Sequence, residues 1–412
     1  MTESHPHVPV PASADERHEL IDALRGFALA GVLMVNLASL TLYEFLPEPA
    51  RAVLPTAGFD GVAMRGMELL VNGKFITLFS LLFGLGFALQ LERAEARGAD
   101  GLPRYVRRLL VLAGMGLVHG YFVWWGDILL TYAVVGLLMV PVRRASDRVL
   151  LISGLVITLL PPLLSPWIRA WLPEMPRQPE VYAGALRAFS SVSWPDTLHE
   201  NIRVASWARV SNWPLVFFVL GRFLLGYWAG RRGLLQYPER HQALLRRVFW
   251  WSLAIGIAVT SLSFVQAALR ESYPLLDREA GKLVIRVLLR VGPLALGIAY
   301  ATGFALLFPR PAWKRRLCVL APVGRMALTH YLTQSVLGVA FFYGIGVGIG
   351  PRWGVAGWWG AWAVIFAAQL LISHFWLARF RYGPMEWLWR WLTYGRRPEL
   401  RRHAATALSG VD

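Results

Sequence analysis

The sequence predicts an all-α, polytopic integral membrane helical bundle of about ten transmembrane spans, with both termini cytoplasmic. Three observations predict it. The 412 residues are 56% hydrophobic and include 19 Trp and 21 Phe. Apolar stretches of ~20 residues, the length that crosses a bilayer as a helix, recur along the whole chain. Lys and Arg gather in every second connection, as cytoplasmic loops do. A formal charge of +17 points to nucleic acid in a soluble protein. In a membrane protein, basic loops facing anionic lipid account for it, so membrane lipids are the expected partner and nucleic acid is not. A homo-oligomer is compatible with the sequence.

Residues 1–19 are polar and rich in Pro and His, and form a cytoplasmic N-terminal segment. The apolar run from Leu20 to about Tyr43 is too long for the core of a signal peptide and reads as an uncleaved first span. Further spans are placed near 75–91, 105–124, 127–142, 149–166, 213–230, 248–269, 287–308, 317–342 and 355–378. Together they make one transmembrane domain over 20–378. Of 42 Lys and Arg, 25 fall on the inner side, 13 on the outer and four within spans. Asp15, Glu16 and Glu19 outnumber Arg17 at the N-terminus, but acids count little in this rule. Two outer connections are long, 44–74 and 167–212, and the second, rich in Trp and Pro, can fold over an outward cavity. Residues 379–412 are a basic cytoplasmic tail. Within the tail Pro384 starts an amphipathic, Trp-anchored interfacial helix in which Glu386 pairs with Arg390 at four-residue spacing.

The four arginines inside apolar runs are Arg25, Arg222, Arg290 and Arg325. A charge at the centre of a bilayer costs at least ~2.5–3.5 kcal/mol, and few carboxylates share these runs, so an anionic ligand is expected. Arg25 and Arg325 enter from the cytoplasmic side and Arg222 lies deeper, an arrangement suited to phosphates delivered from the cytosol. Arg25 can instead pair locally with Asp22, and Arg290 can reach the outer interface.

His119, at the outer end of the third span, and Asp127, eight residues on, are the acid and base candidates. A neutral imidazole can take a proton from an acceptor, and a carboxylate can orient it. Asp127 also reads as the N-cap of the next helix. Asn36, Lys74 and His330 are further pocket candidates, and His374 reads as a packed or interfacial histidine. The single cysteine, Cys318, and the lack of His/Glu spacing motifs predict no metal site.

Several segments carry a resemblance: Leu-Ile-Asp-Ala-Leu-Arg-Gly-Phe from Leu20, Gly-Lys-Phe-Ile-Thr-Leu-Phe-Ser from Gly73, the stretch from His119 to Asp127, Gly-Arg-Met-Ala-Leu-Thr-His-Tyr from Gly324, and Tyr-Gly-Pro-Met-Glu-Trp from Tyr382. The chain resembles the YeiB-like family of bacterial membrane proteins, whose C-terminal region, here about 230–395, has no assigned function. The Asp-x-x-Arg-Gly pattern of the first span also resembles transmembrane acyltransferases, among them heparan-glucosaminide acetyltransferase and the polysaccharide O-acyltransferases. That resemblance implies acyl-CoA as cytosolic donor substrate, Arg25 in the donor site, and a small-molecule, lipid or glycan acceptor at the outer face. The polysaccharide enzymes carry a histidine late in the first span where this chain has Asn36, so the base falls to His119 by depth. His330 stands where the family usually has Asn. A transporter or flippase of an anionic lipid or metabolite is the rival expectation, and a non-catalytic lipid-binding scaffold a third. The bacterial inner membrane is the expected location.

Overall fold

The computed structural model describes residues 14–96 and 101–402. The N-terminal segment up to residue 13, Arg97 and the tail beyond residue 402 lie outside them. The described chain is helical throughout, with one isolated bridge between Phe380 and Arg401. In order it runs α1 (Ala14–Leu40), α2 (Glu48–Ala52), α3 (Ala57–Leu70), α4 (Lys74–Glu95), α5 (Leu102–Phe122), α6 (Leu129–Leu138), α7 (Asp147–Leu159) and α8 (Pro161–Trp171). It continues with α9 (Gln178–Phe189), α10 (Trp194–Ser211), α11 (Pro214–Arg231), α12 (Gln242–Ser272), α13 (Pro274–Asp277) and α14 (Glu279–Leu307). The last are α15 (Pro311–Cys318), α16 (Ala321–Arg325), α17 (Ala327–Phe342), α18 (Gly354–Arg379) and α19 (Pro384–Tyr394).

Among the described residues, five stretches are long and apolar enough to cross a membrane: Glu19–Leu40, Ala57–Glu95, Pro238–Ser272, Glu279–Leu307 and Gly354–Arg379. Two bent pairs, α7 with α8 at 60° and α10 with α11 at 65°, raise the number to seven. The expected span at 127–142 is only the ten-residue α6, about 15 Å long at 1.5 Å per residue. That at 317–342 is broken into α15, α16 and α17, with Pro322 at the start of α16. The outer connection 167–212 is largely helical, holding the end of α8 and all of α9 and α10.

α1 is the central helix. Leu24, Leu33, Leu37 and Leu40 are fully buried, and it packs against α4, α16, α17 and α18. Its approach to α16 depends on two glycines. A Cβ at Gly26 would fall 2.2 Å from the Leu320 carbonyl oxygen, and one at Gly324 would fall 1.8 Å from that of Asp22. This contact sets Arg25 of α1 beside Arg325 of α16. Gly324→Val is therefore expected to destabilise the protein by at least ~1–3 kcal/mol through overpacking. Gly114→Ala, on an open face with nothing within 4 Å, should be neutral or slightly stabilising; thermal unfolding in detergent compares the two.

Candidate functional site

A helix repeats its faces at three- and four-residue spacing. On α1, Asp22, Arg25, Leu29, Val32, Asn36 and Ser39 follow that spacing, and all six line one cavity of about 860 Å³. At 1.5 Å per residue the stripe is about 25 Å long, most of the ~30 Å hydrocarbon thickness of a bilayer. α5 contributes a parallel wall through Tyr105, Arg108, Leu109 and Leu112.

One end of the cavity is basic. Arg25, Arg108, Arg325, Arg381 and Arg390 line it. Arg25 and Asp22 form an ion pair, with Nη1 2.9 Å from Oδ1, so the local pairing and the cavity position coexist. Arg108 lies over the Trp389 ring at 3.9 Å, while Trp389 Nε1 donates to the Arg108 carbonyl at 2.9 Å, latching α5 to α19. Arg381 pairs with Glu399 at 3.2 Å. Among the described residues Arg108, Arg325 and Arg390 have no carboxylate partner. This end thus holds uncompensated positive charge.

Glu386 does not pair with Arg390, contrary to the four-residue spacing. It turns to the start of α17, where Oε1 accepts from the Leu328 and Thr329 amides at 2.7 and 3.1 Å, and Oε2 accepts from Thr329 Oγ1 at 2.6 Å. Arg390 lies instead over the Tyr382 ring at 4.5 Å. The free amides of a helix start are stronger partners for a carboxylate than an exposed cation.

Burial holds the Glu386 carboxyl above the ordinary carboxylate range, against the opposing pull of these hydrogen bonds. Below about pH 4.3 the unfolded state is protonated too. As pH rises the unfolded state loses its proton first, so this group's contribution to stability falls until the native carboxyl ionises. Glu386→Gln is expected to flatten the decline of the melting temperature above about pH 4.3.

The far end of the cavity carries Trp124, Trp125, Asp127, Glu44 and Arg209. His119 Nδ1 lies 2.9 Å from Asp127 Oδ1. A carboxylate can only accept, so Nδ1 carries a proton, and in the neutral ring the lone pair is on Nε2. Asp127 Oδ2 accepts from the Leu130 amide at 3.0 Å, so one side chain both orients the histidine and caps α6. His119 Nε2 is buried without a hydrogen-bond partner. The imidazole stands one side chain behind the wall, with the Tyr331 ring centroid at 5.3 Å and that of Trp124 at 6.3 Å. Arg209 lies over Tyr121 at 4.5 Å, and its Nη2 is buried and unpartnered. Glu44 accepts from Tyr182 Oη at 2.6 Å, and burial raises its pKa.

Residues 229–396 match the family described as a protein of unknown function, DUF418. The chain is 32% identical over 410 residues to the uncharacterized protein YxaH of Bacillus subtilis (strain 168), covering 93% of this chain and 96% of the relative. It is 30% identical over 401 residues to the uncharacterized protein YeiB of Escherichia coli (strain K12), covering 92% and 96%. The chain belongs to the YeiB-like family. An uncharacterized 39.9 kDa protein in the amylase 3' region of Bacillus acidopullulyticus is 28% identical over 401 residues, covering 94% and 96%. No solved structure matches.

In this YeiB-like chain the matched stretch supplies Arg325, Tyr331, Arg381, Glu386 and Arg390 to the cavity, and the preceding part supplies the α1 and α5 walls. Besides His119, three residues expected near a ligand stand outside it. Arg222 is fully buried between α11 and α4: Nε donates to Thr77 Oγ1 at 2.8 Å, Nη1 to the Phe218 carbonyl at 2.9 Å, and the guanidinium lies over the Phe218 ring at 3.3 Å. Helix packing engages Nε and Nη1, leaves Nη2 buried without a partner, and holds the guanidinium outside the long cavity. Lys74, fully buried, donates through Nζ to the Glu68 carbonyl. His330 Nε2 donates to Ser373 Oγ at 2.6 Å, tying α17 to α18. Asn36 lines the cavity midway. His374 is exposed on α18 and donates through Nδ1 to the Leu370 carbonyl at 2.8 Å.

The residues that sequence reasoning missed are Arg108, Arg381, Arg390, Arg209 and Tyr331. One signal was available for Arg108. It precedes His119 by eleven residues on a helix whose buried positions Tyr105, Leu109, Leu112, Gly116 and His119 recur at alternating four- and three-residue spacing, so both ends of the site ride on one face.

Proposed function

We propose that this chain is an integral membrane acyltransferase that moves an acyl group from cytosolic acyl-CoA to an acceptor at the outer face of a bacterial inner membrane. The observation that carries this reading is the single cavity joining an arginine cluster to the His119 and Asp127 pair along one face of α1. A long, slender donor with phosphates at one end and a thioester at the other suits that shape. The concentration of Lys and Arg in alternate connections supports a cytoplasmic position for the basic end and for both termini.

Arg25, Arg325 and Arg108 hold the donor phosphates through charge-assisted hydrogen bonds. At the far end His119 Nε2 takes the proton of an acceptor hydroxyl or amine as its oxygen or nitrogen attacks the thioester carbonyl. The C–S bond breaks, the acyl group joins the acceptor, and the imidazolium gives its proton to the departing CoA sulfur, which restores the neutral histidine. Asp127 holds the tautomer and stabilises the imidazolium. Exposure of Nε2 to the cavity requires the Tyr331 or Trp124 ring to move aside. The acceptor is a small molecule, lipid or glycan.

A nonhydrolysable acyl-CoA analogue at 100-fold over its Kd is expected to stabilise the purified protein by about 2.7 kcal/mol. No thermal shift at saturation would sink the reading. The position of His119 behind the wall favours one rival, transport or flipping of an anionic lipid or metabolite along the α1 stripe. That rival predicts accumulation in proteoliposomes without covalent change of the solute.

A further inference from the structure

A second cleft, of about 610 Å³, lies between α8, the start of α11 and α14. It shares no lining residue with the long cavity. Two helix faces meet across it. Ser165 and Arg169 stand four residues apart on α8, and Arg286 and Arg290 stand four residues apart on α14, so each pair projects from one side of its helix. Apart from Ser211 the remaining wall is apolar or aromatic, Trp213 and Phe218 among it, and no carboxylate contributes to the lining.

The charge in this cleft is poorly compensated. Arg286 has a loose contact with the exposed Glu279 at 3.9 Å. Among the described residues Arg169 and Arg290 have no hydrogen-bond or ion-pair partner. Behind Phe218 the fully buried Arg222 adds a further guanidinium whose Nη2 is unpartnered. Outside the cleft, the same two helices present large apolar side chains outward: Trp167 and Trp171 on α8, Leu288 on α14. Tryptophan at such a place marks the level of the lipid headgroups, and basic pockets between membrane helices are suited to anionic headgroups.

We infer that this cleft binds the phosphate of an anionic phospholipid, held by Arg169 and Arg290 with Arg286 at its rim, its acyl chains lying along the outer faces of α8 and α14. The charge selects the headgroup, and the apolar surround selects a lipid over a free anion.

Native mass spectrometry of the full-length protein, purified in neutral detergent and given phosphatidylglycerol and phosphatidylcholine in equal amounts, tests this. The wild type is expected to retain phosphatidylglycerol about tenfold or more over phosphatidylcholine. Arg169→Gln with Arg290→Gln should bring the two lipids to parity, while Arg169→Lys with Arg290→Lys should keep most of the preference. Should the double glutamine variant fail to purify as a monodisperse protein, single Arg290→Gln reads the same loss in part. Equal retention of the two lipids by the wild type overturns the inference, as does full preference in the glutamine variants. Displacement of phosphatidylglycerol by millimolar inorganic phosphate overturns it in favour of a free-anion site. Binding of the acyl-CoA analogue should be unchanged in every one of these variants, so this site and the long cavity fail or succeed separately.

Discussion

His119→Gln is expected to lower acyl transfer by a factor on the order of 10² to 10⁴ while leaving donor affinity unchanged. Glutamine approximates the size of the imidazole and can bond Asp127, but it cannot take a proton at neutral pH. Asp127→Asn separates orientation from capping. Its side-chain oxygen can still accept from the Leu130 amide, while its amide group donates to Nδ1. The proton then sits on Nε2, the lone pair faces the wrong way, and in a comparable arrangement that inversion costs about 10⁴ in turnover. Asp127→Ala should add a loss of ~1 kcal/mol of stability from the missing cap. Full transfer activity in purified, donor-binding His119→Gln protein would remove the histidine from the mechanism. Initial rates over a range of donor concentration decide this, because the loss is expected in kcat and not in KM.

The second large effect concerns the basic end. Each hydrogen bond to a charged group contributes ~1.5–3 kcal/mol, so Arg325→Ala is expected to weaken the acyl-CoA analogue by about 10- to 150-fold. Arg25→Ala should cost more, since it also leaves the Asp22 carboxylate facing the phosphates. The pair Arg25→Ala with Asp22→Asn tests that explanation, because it removes the stranded negative charge and should recover part of the loss. Calorimetric titration at two salt concentrations gives the affinity and its screening. Undiminished affinity in Arg25→Ala and Arg325→Ala together would place the donor elsewhere or refute it.

Much of the helical framework was legible because long apolar runs report length directly. α1, α12, α14 and α18 coincide with such runs. What apolar runs do not report is where a helix breaks: the breaks between Cys318 and Ala327 and the bend between α7 and α8 fall inside the apolar runs read as single spans at 317–342 and 149–166. In the site, Arg25, Arg325 and Asn36 stood out because polar groups are costly in hydrocarbon, and all three line the long cavity. The same reasoning misled at Arg222. A guanidinium can be satisfied by a hydroxyl, a carbonyl and an aromatic face, and its partner Thr77 lies 145 residues away in sequence. Arg108, Arg381 and Arg390 went unnoticed for the opposite reason. Arginines near helix ends are so common in membrane proteins that three more attract little notice until the chain folds them around one mouth.

The stripe along α1 has a consequence for permeation. A cavity extending over most of a bilayer's thickness is a route for leakage, and a membrane that holds a potential of 100 mV drives each elementary charge with about 2.3 kcal/mol. Guanidiniums at a constriction repel hydronium and metal cations, as an arginine does in selective pores. On the proposed function, the cluster of Arg25, Arg108, Arg325, Arg381 and Arg390 acts in two directions: it draws an anion to the mouth and keeps the passage behind it closed to protons and sodium.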